Sequence, residues 1–332
     1  MEKVAFIWGN LFVNWSAVIL SLSCAAAVCI FLSVYLRESE NHWAAFVTAP
    51  LAVLLSYAAA RWLHWYCFTE NYESLLSAMT KFSDGGFALM GVFAGCLAAA
   101  LLTRVLFLHR NLPQMLDCMC IAGSAGIAVG RLASFYNSSD RGQIVQTVRS
   151  MPWVYPVVNS VSGAMEYRLA TFLHQAMVAA VLFVILSLVC MLERKKHRRD
   201  GDVTLLFLLC YGTSEILLDS MRYDSMYFRS NGFVSIIQVL GAVALALVIV
   251  IFSVRMVKAR GFRKGYLVLW AVMAALMGVA GYMEYHVQRH GNEAAFAYSV
   301  MGLCLALLVV LTLVIRGLSR RRTAQAGGRF AQ

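Results

Sequence analysis

Charge is scarce in this chain. Only 14% of its 332 residues are Asp, Glu, Lys or Arg, whereas 61% are hydrophobic, and mean hydropathy is +0.70. A soluble globular domain carries about 25% charged residues, so a water-covered fold is excluded. Proline is scarce too, with four in the chain, and no Gly/Ser/Pro-rich stretch is long enough to link separate soluble domains. Acidic residues number 17 against 28 basic ones, a net charge of +11. In a soluble protein that balance would suggest nucleic acid. Here the basic residues cluster in short loops between apolar spans, so orientation in a bilayer explains them and no nucleic acid is expected. The nine cysteines form no C-x-x-C pair. Most lie inside apolar spans, where cysteine is a small buried residue. Cys118 and Cys120, two apart on a helix, point different ways. No disulfide, metal site or cofactor is therefore expected. Met1–Asn14 also lacks the basic start and small-residue cleavage site of a secretory leader, so the first span is read as a membrane helix.

What is present is apolar sequence in blocks of about twenty residues, enough to cross a hydrocarbon core of about 30 Å. Nine spans are expected, at 15–36, 43–66, 86–108, 114–135, 170–192, 203–220, 233–254, 265–285 and 296–315. The fold class is therefore an all-α polytopic membrane protein. Orientation follows from Lys and Arg counts. ERKKHRRD at 193–200, RMVKARGFRK at 255–264 and the tail from Arg316 hold five each, and alternating spans put all three on one side. That side is read as cytoplasmic, with the N-terminus out and the C-terminus in. Phe68–Gly85, Tyr136–Arg168 and Ser220–Gly232 then face outward, and the last two hold many polar residues for mere connectors.

Ionisable residues within or beside spans are costly and usually pair or do chemistry. Arg61, Arg131, Glu215, Asp219 and Arg222 are such residues. Glu215, Asp219 and Arg222 are spaced by four and three, hence on one helix face. They are either a structural ion network or part of a cluster of arginines for a lipid phosphate, which a guanidinium fork fits well. Asp117 reads as a cap or interhelical partner. His174, one turn into the fifth span, reads as either a packing histidine or a base.

These residues lie in motifs that resemble the bacterial prolipoprotein diacylglyceryl transferase family. Gly130, Arg131, Phe135, Asn137 and Gly142 fall in register with its signature G-R-x-G-N-F-x-N-x-E-x-x-G, and Asp117 matches an aspartate thirteen residues before the signature glycine. DGGFALMGVFAG at 84–95 is similar to the family's glycine-rich entry to the third helix, and Arg61 to an arginine ending the second. TFLHQ at 171–175 is similar to T-F-L-Y-E, CYGTSEILLDSMR at 210–222 to Y-G-x-x-R-x-x-x-E-x-x-R, and GFVSIIQ at 232–238 to G-x-x-S-x-x-Q. The resemblance covers roughly residues 10–255. It implies a transferase-like membrane domain at 1–256, with a further two-helix hairpin and basic tail at 257–332. It also implies a multi-pass protein of the bacterial inner (cytoplasmic) membrane. The implied reaction moves a diacylglyceryl group from phosphatidylglycerol to the lipobox cysteine thiol of a prolipoprotein, whose signal peptide is then a partner. Arg131 and His174 take the catalytic roles in this reading. Arg61, Ser134, Asn137, Gly142, Tyr211, Glu215, Asp219 and Arg222 bind substrate.

The chain departs from the pattern at several positions. The histidine of F-H-G-G is Met90, the signature's second glycine and asparagine are Ala133 and Ser134, and the arginine of Y-G-x-x-R is Glu215. The last inverts a charge where an anionic phosphate would sit. Two alternatives therefore stand beside the transferase: a related lipid-modifying enzyme with another acceptor, and a non-catalytic lipid-binding protein on the same scaffold. A transporter would call for a repeat or paired broken helices, and neither is visible.

Overall fold

Glycine spacing sets a close helix contact. In the computed structural model, Gly91 and Gly95 of helix α4 (Leu89–Leu106) face α2 (His42–Cys67). A Cβ on Gly91 would come within 2.5 Å of the Ala59 carbonyl oxygen, and one on Gly95 within 2.4 Å of Ser56 Cα. Membrane helices associate through such small-xxx-small faces because lipid leaves no hydrophobic drive between them. The structure describes residues 4–9, 11–39, 41–80, 86–106, 111–137, 140–145, 153–159, 162–193, 199–228, 231–290 and 294–327. Much of the basic run at 193–200, the end of the basic tail and parts of the three outward-facing segments lie outside them.

Among the described residues, nine helices are long and apolar enough to cross a bilayer. They are α1 (Trp15–Glu38), α2, α4, α5 (Leu112–Gly130, continued by a 3-10 turn over Arg131–Phe135), α6 (Thr171–Glu193), α7 (Asp202–Ser220), α8 (Ile236–Arg260), α9 (Lys264–His290) and α10 (Ala294–Gly327). A short α3 (Leu75–Thr80) lies between α2 and α4. Each long helix falls on one of the nine expected spans, so the protein is an all-α polytopic membrane protein. The strands are two short antiparallel hairpins, β1 (Val4–Trp8) with β2 (Leu11–Asn14) and β3 (Val154–Val158) with β4 (Met165–Leu169), together with a brief pairing near residue 230.

The chain divides into two compact units. Residues 1–207 and 221–232 form the first. Its core joins Phe31 and Tyr35 of α1, Ala44, Ala45 and Ala49 of α2, Ala100 of α4, and Met115, Cys118 and Ala122 of α5. Asn41 caps α2 by accepting the Ala44 N–H at 3.1 Å. Asp117 accepts from the backbone N–H groups of Gly201 (2.9 Å) and Thr204 (2.7 Å) and from the Thr204 hydroxyl (2.8 Å). It is the cap and interhelical partner that its sequence position suggests.

Residues 208–220 and 233–332 form the second unit. There α7 and α8 approach closely, and a Cβ on Gly241 would meet the Gly212 carbonyl oxygen at 2.8 Å. A capping box starts α8. The Ser235 hydroxyl accepts the Gln238 N–H, and the Gln238 side chain accepts the Ser235 N–H, each at 3.1 Å.

Candidate active site

The site is built where α5 ends. Past Phe135 the chain turns back through Asp140, whose φ of 57° lies in the left-handed region, which aspartate tolerates better than most side chains. Its backbone is fixed on both sides. The Asp140 N–H donates to Asp224 Oδ2 at 2.7 Å, while its carbonyl accepts the Thr171 hydroxyl at 2.6 Å and the Phe172 N–H at 3.2 Å. The first turn of α6 thus holds the loop by its backbone.

Residues 141–145 then run beside β4. Gly142 N–H donates to the Leu169 carbonyl (2.8 Å), Leu169 N–H to Gln143 (3.1 Å) and Val145 N–H to Tyr167 (2.7 Å). On the other edge, Gly142 forms an antiparallel bridge with Arg222, and Tyr223 N–H donates to the Arg141 carbonyl at 2.8 Å. Gly142 is needed here because nothing larger fits. A Cβ would lie 2.8 Å from Leu169 Cβ and 2.9 Å from Thr171 Cγ2. Gly142→Ala is therefore expected to lower stability by about 1–3 kcal/mol, the usual cost of overpacking, read as an earlier thermal transition in detergent.

The result is a convergence of charge. Arg131 Nη1 lies 2.7 Å and Arg222 Nη2 2.8 Å from the same oxygen, Asp140 Oδ1. The Ser134 hydroxyl donates to Asp140 Oδ2 at 2.8 Å. Arg222 is steadied by Asp224, whose Oδ1 accepts from its Nε at 3.1 Å and its Nη2 at 3.0 Å. Burial alone would push the Asp140 carboxyl up. The charges of Arg131 and Arg222, with the bond from Ser134, outweigh it and hold Asp140 below the ordinary carboxylate range.

A second buried arginine group adjoins this cluster. The Arg141 guanidinium lies over the Tyr155 ring at 4.5 Å and the Phe172 ring at 4.7 Å. Its Nη2 donates to the carbonyls of Ser134 (2.7 Å) and Asn137 (2.8 Å). Arg141 Nε and Nη1 meet no acceptor among the described residues. Burial lowers its pKa, against the opposing pull of Tyr155, Asp140 and Asp224. Arg168 lies over the Tyr223 ring at 4.1 Å and bonds Glu166 through Nε (3.1 Å) and Nη2 (2.8 Å). Bonds from Asn159 and Arg168 lower the Glu166 carboxyl.

The structure thus joins Arg131, Ser134, Asn137, Gly142 and Arg222 in one loop cluster. His174 sits one turn beyond Thr171 on α6, with Nδ1 3.0 Å from the Ala170 carbonyl oxygen. That oxygen can only accept, so in the neutral imidazole Nδ1 carries the hydrogen and Nε2 keeps its lone pair. Arg61 is engaged elsewhere in the first unit. Buried in α2, it donates to the carbonyls of Ala78 (2.7 Å) and Gly86 (3.0 Å), clamping the segment between α2 and α4. Tyr211, Glu215 and Asp219 are buried on α7 in the second unit, where Asp219 accepts from the Ser235 hydroxyl. The sequence reading missed Asp140, Arg141, Asp224 and Thr171 as site residues. One signal for Asp140 was present: Ser139 stands at the signature's acidic position, and an aspartate follows it immediately.

The sequence profile of the family described as prolipoprotein diacylglyceryl transferase matches residues 3–254. The chain belongs to this family. Proteins called phosphatidylglycerol–prolipoprotein diacylglyceryl transferase are among its relatives. One from Streptococcus suis (strain 05ZYH33) is 25% identical over 242 residues, covering 69% of this chain and 84% of the relative. One from Lactobacillus delbrueckii subsp. bulgaricus is 25% identical over 274 residues, 78% and 93%. One from Finegoldia magna is 26% identical over 258 residues, 74% and 94%. The diacylglyceryl transferase match takes in the whole Arg131–Asp140–Arg222 cluster and α8 to within a few residues of its end, and it stops short of α9 and α10.

Proposed function

We propose that this protein transfers a diacylglyceryl group from phosphatidylglycerol to the lipobox cysteine thiol of a prolipoprotein, at the outer face of the bacterial inner membrane. Family membership supports the reaction. One observation carries the site: two guanidinium groups converge on a single anionic oxygen, at 2.7 and 2.8 Å, within the family's signature loop. In the reaction, the cysteine sulfur attacks the diacylglyceryl carbon bonded to phosphate oxygen. The C–O bond breaks, its electron pair leaves on glycerol phosphate, and the thiol proton passes to a base. Negative charge collects on the departing phosphate, where oriented donors contribute most. Each guanidinium carries five N–H donors, so Arg131 and Arg222 can serve a phosphate while Asp140 keeps them converged. Arg141 Nε and Nη1 are further buried donors that a phosphate oxygen would satisfy.

In this reading His174 takes the thiol proton on Nε2. Its place one turn from Thr171, which holds the Asp140 carbonyl, supports that role. Ser134, Asn137 and Gly142 shape the phosphate loop, and Arg61 acts through the segment it clamps. Tyr211, Glu215 and Asp219 contribute polar groups from α7. The family match ends at residue 254, which supports a transferase domain at 1–256 followed by an added hairpin at 257–332. The basic loops support an N-out, C-in orientation.

The test uses purified protein in vesicles of radiolabelled phosphatidylglycerol with a lipobox peptide. Labelled peptide and released glycerol phosphate are expected in equal amounts. Phosphatidylglycerol binding without either product would assign the chain to lipid binding instead.

A further inference from the structure

Glu284 belongs to α9, outside the residues that match the family, yet it ends on groups that the match includes. Its carboxylate is buried within a membrane helix, where it is tolerated only when its lone pairs are used. Three donors use them. The Ser220 hydroxyl donates to Oε2, while Gln238 Nε2 (2.9 Å) and Gln288 Nε2 (3.0 Å) donate to Oε1. The Tyr298 hydroxyl of α10 donates to the Ser220 carbonyl at 3.1 Å, so both added helices grip the end of α7.

The polarity of these bonds propagates. Glu284 Oε1 accepts from Gln238 Nε2, so the Gln238 amide turns its nitrogen toward Glu284. Its Oε1 is then left for the Ser235 N–H, at 3.1 Å. The Ser235 hydroxyl already accepts the Gln238 N–H, also at 3.1 Å. Its own hydrogen is therefore directed to Asp219 Oδ2, with which it is paired. Ser235 and Gln238 are the serine and glutamine of the G-x-x-S-x-x-Q stretch.

We propose that Glu284 is a positioning residue: the added hairpin fixes the Gln238 amide, and through it the Ser235 hydroxyl that holds Asp219 in place for substrate. This rests on the reading of Asp219 as a substrate contact in diacylglyceryl transfer. The hairpin is then part of the transferase machinery rather than an appended anchor.

A charge swap tests it in the full-length protein, with two readouts. Gln238→Glu alone sets two carboxylates against each other. It is expected to raise amide exchange across Ser235–Gln238 and to lower kcat/KM for phosphatidylglycerol by about tenfold, near the value of one lost buried hydrogen bond. Adding Glu284→Gln restores both contacts, because the carboxylate now at position 238 still accepts the Ser235 N–H and the amide now at position 284 donates to that carboxylate. Protection should return, and kcat/KM should recover to within about threefold of wild type. If the swap restores protection but not transfer, the positioning role is overturned and the network merely docks the hairpin. If Gln238→Glu changes neither readout, the pairing itself is overturned. If Gln238→Glu gives no folded protein, Glu284→Ala should deprotect Ser235–Gln238 while Glu284→Gln, which keeps an acceptor oxygen, should not; equal protection in the two overturns the proposal. If the wild-type protein shows no transfer while exchange still follows the swap in the variants, the transferase reading is at fault and the hydrogen-bond chain stands.

Discussion

Arg131→Lys is expected to lower diacylglyceryl transfer by about 10²–10³-fold, the usual loss when one donor to a developing negative charge is removed. The substitution keeps the charge and can keep one bond to Asp140. It removes the planar fork that lets one side chain hold Asp140 and present further N–H groups to phosphate. Initial rates on phosphatidylglycerol, at equal amounts of protein eluting as one species in detergent, give the measurement. Wild-type turnover in the lysine variant would sink the assignment of Arg131 to the phosphate. Loss of folded protein in both Arg131→Lys and Arg131→Ala would show instead that the arginine works only in the fold.

Asp140→Ala should act on stability and transfer together. It leaves the Arg131 and Arg222 guanidiniums facing each other in a largely buried loop without the oxygen that now lies 2.7 and 2.8 Å from them. Breaking a buried pair by removing one partner costs about 3–5 kcal/mol, and a thermal melt in detergent should register it. Acid should act on the same bond in the native protein. Asp140 titrates below the ordinary aspartate value of about 3.9. Its pairing therefore stabilises the fold fully above that pH, and the contribution is lost as pH falls toward the depressed folded-state value. Asp140→Asn, which keeps the shape, should remove that acid limb from the stability profile. An Asp140→Asn protein with the wild-type acid limb would mean that other carboxylates govern it.

The helices were legible in the sequence because crossing a bilayer demands long apolar runs, and each of the nine shows one. The glycine-rich stretch at 84–95 was visible, but that Gly91 and Gly95 pack against α2 comes from the fold, because glycine spacing does not name the partner helix. Arg61 shows where legibility ends. Its burial was foreseeable, but its partners include the main-chain carbonyls of Ala78 and Gly86, and every residue carries a carbonyl. Nothing in the side-chain sequence marks such a partner. Asp140 was hidden differently. Its value depends on Arg222 arriving from far along the chain and on a left-handed backbone that only the folded loop imposes. Glu284 was not singled out in the sequence at all, because the Ser220 and Gln238 groups it accepts from lie on other helices.

Complementation tests the central claim most directly. A strain depleted of its own diacylglyceryl transferase, expressing this protein, is predicted to grow and to carry diacylglyceryl-modified lipoprotein detectable by mass spectrometry, and the same strain with Arg131→Ala is predicted to do neither. Folded wild-type protein in the membrane, with no growth and only unmodified prolipoprotein, would contradict the account.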